Sequence, residues 1–180
     1  MDAQSIWQSK AEALGFTRAG WIADAGQMTF ENAEVFRGYC AQNTCLSYDK
    51  FWSCPPGVGP VKHCVDKIKT YSRALLVQYE ETAAASDAGA VRLIRARFKD
   101  LMAELAPEFK KEFPDALTLG SGGCDICPEC AYPREPCRHP DRMIQSVSAF
   151  CVDARQACEL AGLPCWRDGY VAFTGMLFVK

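Results

Sequence analysis

An α/β (or α+β) fold with a central mixed sheet of about four strands, helices packed on it and two cysteine-rich metal-binding loops is what this sequence predicts. Three observations carry it: stretches of helical and of strand character alternate through most of the chain; the short apolar runs Ala74–Val77 and Met176–Val179 have the length of buried strands; and eight of the eleven cysteines fall into two groups in turn-rich stretches.

The elements follow in order. Ile6, Trp7, Ala11 and Leu14 are spaced for a first helix closed by Gly15, and a strand follows over Phe16 to Ile22. Asn32 to Arg37 reads as a brief helix that leads into Cys40, Cys45, Cys54 and Cys64. Pro55-Pro56-Gly57-Val58-Gly59-Pro60 must be loop, because proline fixes φ and removes a backbone donor. Val61 to Tyr71 is expected helical and Arg73 to Tyr79 extended. Asp87 to Phe113 is the longest amphipathic stretch, with Val91, Ile94, Phe98, Leu101, Met102 and Leu105 at intervals of three and four; Pro107 is expected to divide it or end its first part. A short strand near Ala116 to Leu119 enters a glycine loop. Ser146 to Ala161 fits a helix closed by Gly162 and Pro164, and Tyr170 to Val179 a final strand.

At 180 residues the chain is read as one domain, 1–180, large enough to bury about 70% of its unfolded surface without cross-links. Its cysteines therefore need another explanation. Their odd number, and a Met1–Trp7 segment with neither a basic leader nor an apolar core, point to the cytoplasm, where thiols stay reduced and free for metal. Twenty Lys and Arg against 22 Asp and Glu offer no electrostatic funnel for nucleic acid. No apolar run has the length of a membrane span.

Cys124-Asp125-Ile126-Cys127-Pro128-Glu129-Cys130 places three thiols two residues apart, with Cys137 beyond. Such a turn brings three sulfurs onto neighbouring irons of a cube while backbone N–H groups point at the sulfides. Gly120, Gly122 and Gly123 let the chain pass close to a bulky object. Zinc, which prefers two paired-cysteine knuckles, is the alternative, since a third cysteine at this spacing crowds a tetrahedral site. Arg138 and His139 stand beside Cys137 as possible donors to thiolate sulfur. Cys40-x4-Cys45-x8-Cys54-x9-Cys64 is looser, but its third member lies in Trp52-Ser53-Cys54-Pro55-Pro56-Gly57, where prolines reduce the entropy lost on ordering. Cys151, Cys158 and Cys165 read as small core residues, the first two on similar faces of one helix.

Tyr39-Cys40, Cys45, Tyr48 to Gly57, Cys64, Gly123 to Ala131 and Pro136-Cys137-Arg138-His139-Pro140 together resemble the family of predicted metal-binding proteins called domain of unknown function 2284, from about Cys40 to Val179. The resemblance implies a cysteine-ligated metal protein of the iron-sulfur kind and carries no reaction with it. The expectation is one or two [4Fe-4S] clusters held by Cys40, Cys45, Cys54 and Cys64 and by Cys124, Cys127, Cys130 and Cys137, in a protein exchanging electrons with a redox protein partner. An iron-sulfur enzyme with an open iron and a zinc-stabilised interaction module are the other readings.

Overall fold

The computed structural model describes residues 3–180. It is an α+β fold with five α-helices and a mixed five-stranded sheet among those residues. The helices are α1 (Ala3–Leu14), α2 (Ala33–Ala41), α3 (Val61–Ile68), α4 (Ala88–Glu112) and α5 (Ala154–Leu160); the strands are β1 (Arg18–Ile22), β2 (Arg73–Thr82), β3 (Leu117–Gly120), β4 (Gln145–Ser146) and β5 (Tyr170–Val179).

Strand order is β1-β2-β5-β3-β4. All neighbours are antiparallel except β3 and β4, which run parallel with Leu119 opposite Gln145 and Gly120 opposite Ser146. The centre is the long pair β2 and β5, in register from Arg73 opposite Val179 to Thr82 opposite Tyr170. Alternation then sorts their side chains onto two faces. Leu75, Val77, Leu177 and Val179 meet Trp7 and Ala11 of α1 and Phe98, Met102, Leu105 and Phe109 of α4. Ala74, Leu76, Met176 and Phe178 meet Cys64 and Ile68 of α3, the segment around Phe150, and Ala157 and Cys158 of α5. Burial on both faces is why β2 reads as a continuous apolar run.

Local chemistry explains most boundaries. The Asp87 carboxylate accepts from the N–H groups of Gly89 and Ala90, capping α4, and Lys110 and Lys111 occupy its last turn, where positive charge suits the helix dipole. Asp153 caps α5 in the same way.

Four sequence expectations need correction. The sheet has five strands rather than about four, because the two-residue β4 is too short to leave a pattern. Helix α4 runs through Pro107 to Glu112: Leu105, Ala106 and Phe109 are buried around it, and that packing outweighs the roughly 3 kcal/mol a mid-helix proline costs. The helix expected over Ser146 to Ala161 is only Ala154–Leu160, since Ser146 pairs in the sheet and Cys151 has φ of 59°, which an α-helix forbids. Cys151 and Cys158 therefore share no helix. Finally α2 extends to Ala41, so Cys40 sits on a helix rather than a loop.

Both cysteine segments gather at the β3/β4 side of the sheet. The second leaves the end of β3; the first lies against β4, where the Ser146 N–H donates to the Ser53 carbonyl at 3.3 Å. Among the described residues no helix is long and apolar enough to cross a membrane.

Candidate metal centre

The loop between β3 and β4 carries Cys124, Cys127, Cys130 and Cys137, and all four line one small cavity of about 20 Å³ together with Trp52, Met143 and His139. Its shape comes from polar contacts to the first cysteine segment. The Cys124 N–H donates to the Ser53 hydroxyl at 2.9 Å, and the Gly123 N–H to the Ser47 hydroxyl at 3.3 Å. Trp52 Nε1 donates to the Glu135 carbonyl at 2.9 Å, the Tyr132 hydroxyl donates to Asp49 at 2.9 Å, and the Trp52 and Tyr132 rings meet edge to face, 4.9 Å apart. From beneath, Lys99 of α4 donates to the Gly123 carbonyl at 2.6 Å and pairs with Asp125.

Two glycines permit this close fit. A Cβ on Gly123 would stand 2.7 Å from the Phe51 ring, and one on Gly57 would stand 2.8 Å from the Phe51 carbonyl and 2.9 Å from the Tyr132 ring. Gly122 has φ of +69°, the left-handed turn its place in the loop requires.

Electrostatically the loop is mixed. Burial pushes the Cys124 thiol up, while hydrogen bonds from the backbone at Ile126 and Ile144 act in the opposite direction, favouring charge on its sulfur. Those N–H groups are the kind of donor that a cluster-ligating thiolate accepts. His139 faces the thiols. Arg138 instead donates to the Glu129 carbonyl at 3.0 Å, so its guanidinium shapes the loop.

The first group divides. Cys40, Cys45 and Cys54 line a second cavity of about 250 Å³, closed on its far side by Ser121 and Gly122 of the other loop. Burial pushes Cys40 up, and Cys54 up to about 12. Metal binding here must expel the thiol protons, and so is favoured by rising pH. Cys64 does not line this cavity. It is fully buried on α3, its thiol donating to the Val58 carbonyl at 3.8 Å and receiving a hydrogen bond from Arg37 Nη2 at 3.3 Å.

The two cavities share a wall. Ser53 faces the smaller cavity and its neighbour Cys54 the larger, while Gly122 faces the larger and Cys124 the smaller. The sequence reading missed Arg37, and it read Cys151 rightly as a core residue but on the wrong element. Arg37 holds the Gly59 and Ala149 carbonyls, each at 2.7 Å, and its guanidinium lies between Cys64 and Cys151. Cys151 is thus buried against that arginine rather than set on a helix, and no spacing in the sequence signals it. Cys158 and Cys165 do pack together in the core, where Gln78 Nε2 donates to the Cys158 sulfur at 3.3 Å.

Among the described residues no group of three or more His, Cys, Asp or Glu side chains is set for a metal ion. The thiols encircle cavities rather than one point. A family model described as predicted metal-binding protein (DUF2284) matches residues 23–179, beginning ahead of the first cysteine signature. No curated protein matches the chain, and no solved structure does.

Proposed function

Because the chain belongs to DUF2284, a family of predicted metal-binding proteins, we propose that its two cysteine segments hold iron-sulfur clusters and that the protein transfers single electrons to or from a redox protein partner. One observation supports this above the rest: Cys124, Cys127, Cys130 and Cys137, drawn from fourteen positions of chain, line one common cavity. Three thiols at successive two-residue spacings, with a fourth after six further residues, are the kind of donor set that a [4Fe-4S] cluster takes. A bound cluster would supply reversible one-electron chemistry. The chain's own contribution is to exclude water with Trp52, Ile126 and Met143, to direct backbone N–H groups at Cys124, and to keep the two sites on either side of the Ser53–Cys54 peptide. This reading implies a reducing compartment, the cytoplasm, in which the eleven unpaired cysteines persist as thiols.

A second reading is favoured by the division of the first group. Three thiols, Cys40, Cys45 and Cys54, line the larger cavity while Cys64 lies in the core. A cluster with three protein ligands keeps one iron for a small molecule, which makes the first site the place for an enzymatic activity. Zinc would make the protein an interaction module without redox chemistry.

Anaerobic purification followed by iron, sulfide and zinc analysis and electron paramagnetic resonance tests these readings. A brown protein with acid-labile sulfide and a reducible signal supports clusters. A colourless protein with stoichiometric zinc overturns them. Cys127→Ala is expected to abolish the signal of one cluster, and Cys54→Ala that of the other.

A further inference from the structure

A cleft of about 500 Å³ opens between the ends of α3 and α4, the start of β3 and the segment before β4. Four cations face it, Lys67, Lys110, Lys111 and Arg142, against two acids, Asp115 and Asp141. Lys111 is paired with Glu108, and the Asp115 carboxylate is engaged by Lys180 at 3.4 Å. Lys67, Lys110 and Arg142 form no ion pair among the described residues.

Lys110 is the informative one. It is half-buried, and its ammonium donates to the backbone carbonyl of Asp141 rather than to a carboxylate. Burial lowers its pKa, the Asp141 carboxylate partly offsets this, and the like charge of Lys67 lowers it further. Neighbouring ammonium groups drawn partly out of water are unfavourable unless an anion lies between them. Overall charge does not account for them, because the chain as a whole carries −2. Ala106, Pro107, Leu117 and Met143 add an apolar wall, and the cleft has the size of a small-molecule site.

We propose that this cleft binds a small organic anion carrying two or more negative charges, a phosphate ester or a dicarboxylate, with its charges on Lys67, Lys110 and Arg142 and its carbon body on Pro107 and Met143. Met143 also borders the cavity of Cys124, Cys127, Cys130 and Cys137, so the ligand sits one side chain from the candidate metal centre. The proposal rests on the charge and shape of the cleft and not on which metal the thiols hold.

Phenyl phosphate and isophthalate are suitable probes, with benzamide as the uncharged counterpart, added to the intact protein at constant ionic strength. Titration calorimetry and thermal unfolding should show saturable binding of at least one anion and none of benzamide, with metal content unchanged. A response to phenyl phosphate alone assigns a phosphate ester, and to isophthalate alone a dicarboxylate. Lys67→Gln and Lys110→Met should each weaken binding at least tenfold, while Arg92→Gln, on an exposed face of α4, should not. Because Lys67→Gln alters a side chain at the edge of the cleft, it serves even if Lys110→Met misfolds. Absence of saturable binding by both anions, or equal binding by wild type and Lys67→Gln, overturns the proposal.

Discussion

Ser53 and Cys124, 71 residues apart, meet through a 2.9 Å hydrogen bond in which the Cys124 N–H donates to the serine hydroxyl. That hydroxyl also stands 3.9 Å from the Cys54 sulfur as its donor, and Ser53 is fully buried. One side chain therefore touches the backbone of one candidate centre and a thiol of the other. Replacing Ser53 by Ala should leave the Cys124 N–H without a partner, at a cost of about 1–3 kcal/mol. Urea unfolding should show a lower midpoint with an unchanged slope, and metal should leave both loops faster on exposure to a chelator. An unaltered midpoint would mean that the seam is held without this bond.

Gly123 and Phe51 make a second point of contact across that seam. With a Cβ 2.7 Å from the ring, Gly123→Ala must displace Phe51, and overpacking of this kind costs about 1–3 kcal/mol. Gly123→Ala combined with Phe51→Leu should recover part of the loss. A double-mutant cycle from denaturant midpoints measures the coupling, and strict additivity would contradict the contact.

The division of the first cysteine group makes Cys64 and Cys54 separable. Cys64→Ala empties a core position and should destabilise the protein by about 0.5–3 kcal/mol while leaving its metal content intact. Cys54→Ala should reduce the metal content. Metal analysis of the two variants checks this, and equal loss from both would place Cys64 among the ligands.

Glu80 is a carboxylate 4% exposed, with Arg18 at 2.7 Å and Arg167 at 2.6 Å. Burial raises its pKa, but the two guanidinium groups outweigh that and hold it below the ordinary range. A depressed folded pKa gives stability that is present above the unfolded value of about 4.3 and lost as pH falls through the folded value. Glu80→Gln should therefore be less stable than the parent at pH 7, and the difference should shrink in acid. Urea midpoints between neutral and acidic pH report it; a difference independent of pH would assign the loss to packing.

Much of the fold was legible locally. The apolar spacing along α4, the run Ala74–Val77 and the final strand Tyr170–Val179 were readable because side-chain periodicity is a property of consecutive residues. The close spacing of Cys124, Cys127 and Cys130 marked the second loop for the same reason. Pro107 was misleading, because a local rule names the cost of a helical proline but not the burial of Leu105, Ala106 and Phe109 that offsets it.

By itself the sequence determined a mixed sheet with helices, a thiol-rich composition and the family to which the chain belongs. Only the tertiary structure decided that Cys64 retreats to the core beside Arg37, that Cys151 joins it there, and that Ser53 joins the two cysteine segments. The reason is physical: thiols converge according to where hydrogen bonds between distant segments place the backbone, and such bonds leave no period in the sequence for a reader to find.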